Sequence, residues 1–407
     1  MLIKLAFRNI FRNFRRTVIT FIAIAVGLMF LILMDSLLSG IDQESFEKII
    51  NYETGHVKIF ARGYQKDKEN LPLDKTIEKP ASLAHGIMSD PEVAGVTSRI
   101  NFRIMLSDGI DQLPAVGIAV NPADDQLVYQ LKQAVAQGEF LKEKEDAMLL
   151  GEGLAEDFGV GVGDVLTILA RTRYDTYQAL DLRIKGILRT DDPKIDWVAA
   201  VIPLNLGQSS LDMGKSVTEI SIKLKDPART EAFRDKLARE LPGLEIMTWK
   251  ELAEDVIAIA EAKRGATSMI LFGITLIALI GITNTILLAA FERVGEIGMM
   301  AAMGMKRRQI ILLFILEGGM IGLLGSIAGC ALGSLVNIYL VNHGIDYGPA
   351  MKGIGDIGYR ITTGARGIWK PGTIAWAFLF GIIVSALTSI YPAWVASRME
   401  PTKALRK

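Results

Sequence analysis

Cysteine and histidine are scarce in this sequence, which has one cysteine and three histidines among 407 residues. A single thiol, Cys330, excludes a disulfide framework and any site built from several thiolates. The spacing of His56, His85 and His343 excludes an H-x-x-x-H metal pair and indicates no nucleophile–base triad. The composition therefore predicts a chain with no metal site and no nucleophilic chemistry of its own.

A phosphate-binding loop is also missing. Gly214-Lys215-Ser216 resembles the end of such a loop, but Ser209 stands where its first glycine belongs. The residues that follow read as a strand, so no helix N-terminus is available for a phosphate. Leu38-Ser39-Gly40 resembles the start of an ATPase signature, but it lies at the end of an apolar segment. We therefore predict that this chain is not an ATPase and binds no cofactor itself.

Charged residues are absent from several long stretches, although the mean hydropathy of the whole chain is only +0.31. Residues 17–34, 265–291 and 371–397 contain none, and residues 310–341 contain only Glu317. About 20 helical residues cross the ~30 Å hydrocarbon layer of a bilayer. Four transmembrane helices are therefore predicted. The first exceeds the apolar core of a signal peptide and is predicted to be a retained anchor.

Glu317 is the one ionisable residue inside a predicted span. A carboxylate at this depth costs roughly 2.5–3.5 kcal/mol on insertion scales, so it is a candidate for function. Arg307 and Arg308 lie about two turns away, and basic residues of other helices are also available. We favour structural pairing over a proton or ion relay.

Basic residues set the predicted topology, because they concentrate in the segments before, between and after the spans. The positive-inside rule assigns residues 1–16, 292–309 and 395–407 to the cytoplasm. Residues 41–264 contain ten more acidic than basic residues, which argues against nucleic-acid binding. The predicted fold is an α-helical inner-membrane protein with four transmembrane helices, both termini cytoplasmic, and a large α+β extracytoplasmic domain between the first and second. Its segments are an interfacial helix 1–16, spans 17–40, 265–291, 310–341 and 372–394, the external domain 41–264, the cytoplasmic segment 292–309, the external loop 342–371 and the tail 395–407.

Two further patterns concern the membrane. The first 16 residues place basic side chains on one helical face, opposite Ile3, Phe7, Ile10 and Phe14. This pattern predicts an amphipathic helix anchored on membrane lipid, whereas the alternative, a positive flank of the first span, explains only the charge. Small residues four apart in the third span predict close helix packing. The anchor residues are Lys4, Arg8, Arg12, Arg15 and Arg16, and the packing residues are Gly318, Gly322, Gly325, Gly329 and Gly333.

Three segments in order carry a resemblance to a family: 5–17, 291–304 and 391–406. Together with 149–164 and 248–252 in the external domain, they resemble the membrane subunits of mechanotransmitting ABC transporters. That group includes the lipoprotein-releasing (Lol) permeases and the macrolide-exporter type. One departure is Met299-Met300, where the family more often has an arginine.

The resemblance implies that residues 292–305 form a cytoplasmic coupling helix received by a separate ATPase. The residues it assigns to coupling are Glu292, Arg293, Glu296, Ile297, Met299, Met300, Met303 and Gly304. It also implies two ATPase subunits that bind ATP and Mg, and a second permease copy or paralogue. Dimerisation of the ATPases then moves the external domain.

Lipoprotein release from the inner membrane, with a periplasmic carrier or adaptor, is the function we favour for such a chain. Export of a peptide, macrolide or toxin by the same mechanism is one alternative. Regulation of a periplasmic cell-wall hydrolase is another. A membrane-anchored receptor without an ATPase is an unrelated alternative, and the predicted coupling segment argues against it.

Overall fold

The computed structural model describes residues 3, 5–8, 14–190, 192–292, 295, 297, 299–300, 303–346 and 364–397. The chain divides into two compact units. We call residues 1–43, 259–353 and 363–407 the helical unit, and residues 44–258 and 354–362 the sheet domain.

Long helices dominate the helical unit, and short ones accompany the sheet domain. The α-helices are α1 Phe14–Lys48, α2 Pro80–Met88, α3 Pro122–Val128, α4 Glu152–Phe158, α5 Pro193–Asp196, α6 Leu204–Ser210, α7 Thr230–Glu240, α8 Trp249–Leu252, α9 Glu254–Glu292, α10 Arg307–His343, α11 Pro371–Thr388 and α12 Ile390–Ser397. A π-helix, Ile49–Thr54, follows α1 directly. Short 3₁₀ helices occupy Gln65–Asn70 and Pro227–Arg229.

Twelve strands are present in the described part of the chain. They are β1 Val57–Ala61, β2 Val93–Ser107, β3 Gln112–Val120, β4 Val135–Gly138, β5 Ala147–Gly151, β6 Val165–Arg171, β7 Tyr177–Leu188, β8 Ala199–Pro203, β9 Glu219–Leu224, β10 Leu244–Thr248, β11 Ile345–Asp346 and β12 Gly364–Ala365. The last two pair only with each other, in the helical unit.

Three helical segments among the described residues are long and apolar enough to cross a membrane: Thr17–Thr54, Arg307–His343 and Pro371–Val395. They contain the first, third and fourth predicted spans. The second predicted span, 265–291, lies within the 39-residue helix α9. Membrane-spanning helices are therefore present, and the total of four stays a prediction.

The predicted interfacial anchor is described only in part. Residues 5–8 are helical, and the side chains of Ile3 and Phe7 are exposed. Arg15 and Arg16 belong to the first turn of α1, which begins before the predicted start of the span. Lys4 and Arg12 lie outside the described residues.

The sheet domain is built on strands β1–β10. The order across the sheet is β10-β1-β9-β2-β3-β8-β5-β7-β4, and β6 pairs with both β2 and β7. The pairs β3–β8 and β5–β7 are parallel, whereas the other pairs are antiparallel. Alternate residues of one strand enter two different apolar clusters: Met148 and Leu150 belong to one, Leu149 to the other. Both faces of the sheet are therefore covered, as expected where alternate side chains point to opposite faces.

Candidate functional site

The glycines of α10 contact two different helices. A Cβ atom at Gly322 would lie 2.6 Å from the Ser385 Cβ and 3.0 Å from the Gly381 carbonyl oxygen of α11. Gly318 is equally close to α11, beside Ser389. Only hydrogen on the α-carbon permits this approach, since any side chain would enter the neighbouring backbone.

The other three glycines of the stripe face α1. A Cβ atom at Gly329 would lie 2.8 Å from the Ala25 carbonyl oxygen, and one at Gly325 would lie 2.9 Å from the Ile24 Cβ. Gly333 approaches Met29 and Ile32 in the same way. The stripe therefore brings α10 into close contact with α11 at Gly318 and Gly322 and with α1 from Gly325 to Gly333.

Polar side chains hold the same three helices together at one end of the unit. Ser36 on α1 donates to the Asn337 Oδ1 of α10 at 2.6 Å, and the Ile368 backbone N–H donates to the Ser36 Oγ at 3.0 Å. Asp35 on α1 accepts from the Thr373 hydroxyl of α11 at 2.7 Å and pairs with Lys370 at 3.4 Å. Sequence reasoning missed this cluster, because each residue stood singly at the edge of an apolar run.

A buried carboxylate connects α1 with α9. Asp42 is 4% exposed; its Oδ2 accepts from the Arg264 Nε at 2.9 Å, and its Oδ1 forms an ion pair with the Lys263 Nζ at 3.4 Å. Both cationic side chains remain about half exposed. Glu317, the predicted intramembrane charge, is partly buried in α10.

The segment predicted to couple to an ATPase is described in part. Gly295, Ile297, Met299 and Met300 are helical, and α10 begins at Arg307 after a turn. The turn closes with hydrogen bonds from the Met303 N–H to the Met299 carbonyl and from the Met305 N–H to the Met300 carbonyl, both 3.0 Å. Arg293 and Glu296 lie outside the described residues, as does the side chain of Glu292. Gly304 has φ +92°, a backbone angle that residues other than glycine rarely adopt.

One side of this segment packs against neighbouring helices, and the other side is exposed. Ile297 is 4% exposed and packs in a cluster with Ile310, Phe314 and Ala393, against which Met300 also lies. In contrast, Met299 is 54% exposed and Met303 is 75% exposed. Among the assigned residues whose side chains are described, Ile297 and Met300 hold the turn on the helices, and Met299 and Met303 present an adaptable apolar surface.

The sheet domain contains an apolar cleft between α2 and α7, with a volume of about 520 Å³. Its apolar lining is Ile77, Leu83, Ile87, Phe233, Leu237 and Leu241. This size lies within the range of small-ligand pockets. Among the residues that the structure describes, no three His, Cys, Asp or Glu side chains are grouped as metal ligands.

The chain matches two protein-family models. Residues 17–240 match the model of the MacB-like periplasmic core domain, and residues 268–401 match that of the FtsX-like permease C-terminal region. A solved periplasmic region of MacB from Actinobacillus actinomycetemcomitans aligns over 51% of this chain and 95% of that chain, at 14% identity and a TM-score of 0.37.

Curated relatives align over most of the chain. The lipoprotein-releasing system transmembrane protein LolE of Haemophilus influenzae is 23% identical over 94% of this chain and 92% of the relative. LolC of Xylella fastidiosa is 24% identical over 95% of this chain and 92% of the relative. The macrolide export ATP-binding/permease protein MacB of Brucella abortus is 22% identical over 99% of this chain and 60% of the relative.

Proposed function

Because this chain belongs to the family of ABC transporter permeases with a MacB-like periplasmic core domain, we propose that it releases lipoproteins from the inner membrane. The alignment with LolE and LolC carries this proposal, since it covers 92% of both relatives. Export of a macrolide or peptide is the second candidate, and the similarity to MacB supports it. That alignment covers only 60% of the relative. Regulation of a cell-wall hydrolase is left without a supporting observation.

The proposed energy source is a separate ATPase. The sequence lacks a complete phosphate-binding loop, as the serine at 209 and the predicted strand after 216 indicate. We propose two ATPase subunits, with ATP and Mg bound to them, and a second permease copy or paralogue. The proposed topology has four spans, with residues 265–291 of α9 as the second, both termini in the cytoplasm and the sheet domain in the periplasm.

In this proposal the ATPase binds the turn that presents Met299 and Met303. Three observations support that position: the side chains are exposed, the opposite side of the turn packs on α10 and α12, and α10 begins only a few residues later. Force applied at the turn would move α10, and the glycine contacts would carry α1 and α11 with it. The sheet domain would then move as a rigid body.

Depletion of the chain tests the proposed function. An outer-membrane lipoprotein should accumulate in the inner membrane, as measured by density-gradient fractionation and immunoblotting. A lipoprotein that normally stays in the inner membrane serves as the control and should keep its distribution. Unchanged sorting combined with increased macrolide or peptide sensitivity would refute lipoprotein release and favour the second candidate.

A further inference from the structure

The π-helix that follows α1 ends in carbonyl groups that accept hydrogen bonds from β2 and from the residues directly after α3. The last carbonyls of a helix have no partner within it. The Asn51 carbonyl accepts from the Gln130 backbone N–H at 3.0 Å, and the Tyr52 carbonyl accepts from the Arg99 Nη1 at 3.2 Å. The Glu53 carbonyl accepts from the Tyr129 hydroxyl at 3.1 Å. A buried cation at a helix C-terminus also complements the helix dipole.

Arg99 is itself held from three directions. Its Nε and Nη2 donate to the two carboxylate oxygens of Asp125 at 2.7 and 3.1 Å. The centre of its guanidinium lies 3.3 Å from the ring centroid of Tyr129. Arg99, Asp125 and Tyr129 are each at most 2% exposed. The Tyr129 hydroxyl also shares a hydrogen bond with the Ser221 Oγ of β9, at 2.7 Å.

A second buried ion pair lies beside the first. The Lys58 Nζ is 2.6 Å from the Glu219 Oε1, and these side chains are 8% and 2% exposed. Glu219 stands opposite Arg99 in the β2–β9 register, so the second pair, on β1 and β9, lies on strands next to that of Arg99. Within the described residues, however, Lys58 and Glu219 are hydrogen-bonded through their side chains only to each other. The chain thus contains one buried pair that binds the π-helix and one that does not.

We propose that Arg99, Asp125 and Tyr129 form a joint that transmits movement of α1 to the sheet of the extracytoplasmic domain. This inference rests on the proposed function, because it assumes that an ATPase moves α1. Apolar contacts permit neighbouring elements to slide, since they are not directional. At the joint, a rotation of the π-helix relative to β2 would instead break the hydrogen bonds of the Tyr52 and Glu53 carbonyls and leave the Arg99 Nη1 without its acceptor. The sheet therefore follows the helix, and the three side chains are positioning residues for coupling.

The test uses the complete transporter in proteoliposomes, with its ATPase and partner permease. The double variant Arg99→Met/Asp125→Leu removes both charges, so that neither is left unpaired in the interior. Tyr129→Phe keeps the ring over Arg99 and removes only the hydroxyl. Lys58→Met/Glu219→Leu is the matched control, because it removes a similarly buried pair from the neighbouring strands β1 and β9, and neither side chain is hydrogen-bonded to the π-helix.

Two quantities are measured: ATP hydrolysed per lipoprotein released, and the ATP-dependent change in fluorescence of a probe at Ile110. That residue is 89% exposed at the β2–β3 turn, and the probe is attached to Ile110→Cys in a Cys330→Ser background. We expect the double variant to hydrolyse at least ~5-fold more ATP per release and to lose the probe response. Tyr129→Phe should raise the number of ATP molecules hydrolysed per lipoprotein released about 3-fold. The control should match the unmodified chain in both measurements.

The outcomes separate the joint from the proposed function. A probe response without lipoprotein release would refute the function and still test the joint, because the response does not depend on the cargo. The joint is refuted when both joint variants keep the normal response, when the control loses it equally, or when the unmodified chain has none. If the double variant does not fold, Tyr129→Phe decides, since it removes a single oxygen atom.

Discussion

Replacing Gly329 by alanine should separate the packing role of the glycine stripe from ordinary helix propensity. Alanine gains about 1 kcal/mol over glycine in a helix interior. At Gly329 the new methyl group would lie 2.8 Å from the Ala25 carbonyl oxygen and 3.0 Å from the Ala25 Cα and Leu28 Cβ. Backbone atoms must shift to admit it, and such overpacking costs about 1–3 kcal/mol. The expected net effect is a loss of roughly 0–2 kcal/mol.

Gly319 provides the control on the same helix. A methyl group there would meet only the Ala386 Cβ, at 3.8 Å, which is an ordinary van der Waals contact. Gly319→Ala should therefore gain up to about 1 kcal/mol, so the two variants should differ by about 1–3 kcal/mol. Far-UV circular dichroism of the purified chain in mixed SDS and dodecyl maltoside micelles measures both unfolding midpoints. The reasoning fails if Gly329→Ala is as stable as Gly319→Ala.

Three other predictions address the turn, the sheet domain and the topology. Met303→Glu should weaken co-purification of the ATPase at least ~10-fold, whereas Met303→Leu should preserve it, because only the charge resists burial in an apolar contact. Burial, followed by the charge of Glu53, raises the pKa of Asp192 to about 6. The folded state therefore binds this proton more tightly than the unfolded state, and the resulting stabilisation is complete below the unfolded pKa and lost as the pH rises through 6. Asp192→Asn should consequently raise the thermal unfolding midpoint at pH 7.5 and have no such effect near pH 4; an equal gain at both pH values would contradict this. In a Cys330→Ser background, a membrane-impermeant maleimide should label Ile110→Cys in intact spheroplasts and Met303→Cys only after permeabilisation; the reverse pattern would overturn the topology.

The sequence predicted those parts of the fold that depend on local patterns. The uncharged stretches predict the long helices, and the sequence pattern of residues 93–106 predicts a strand where the structure has β2, Val93–Ser107. The order of the strands could not be predicted, since the parallel pairing of β3 with β8 joins residues about 80 positions apart and leaves no local signature. Strand β10 was missed because it is only five residues long and contains a glutamate.

The buried ion pairs escaped prediction for a physical reason. Alternation along β2 places Ile100, Phe102 and Ile104 on one face, which assigns Arg99 to the opposite and formally solvent-facing side. That side is covered, because α3 supplies Asp125 and the π-helix supplies the Tyr52 carbonyl. Periodicity identifies which face a side chain occupies but not what lies on that face. The charged residues of a strand with both faces covered are therefore invisible to pattern analysis.

The glycine stripe and the joint would both resist movement of α1 relative to its neighbours. Helices α1 and α10 approach closely at Gly329, beside the Ala25 backbone, and at Gly325, beside the Ile24 side chain, and this close packing resists movement of α1 along α10. The same helix continues through Lys48 into the π-helix, whose terminal carbonyls accept from Arg99 of β2 and from Tyr129. A sliding contact at either position would dissipate a displacement before it reached the sheet. Under the proposed mechanism, force transmission would require directional or backbone-limited contacts at both positions, and this requirement would account for a charge buried where an apolar side chain would have packed at lower cost.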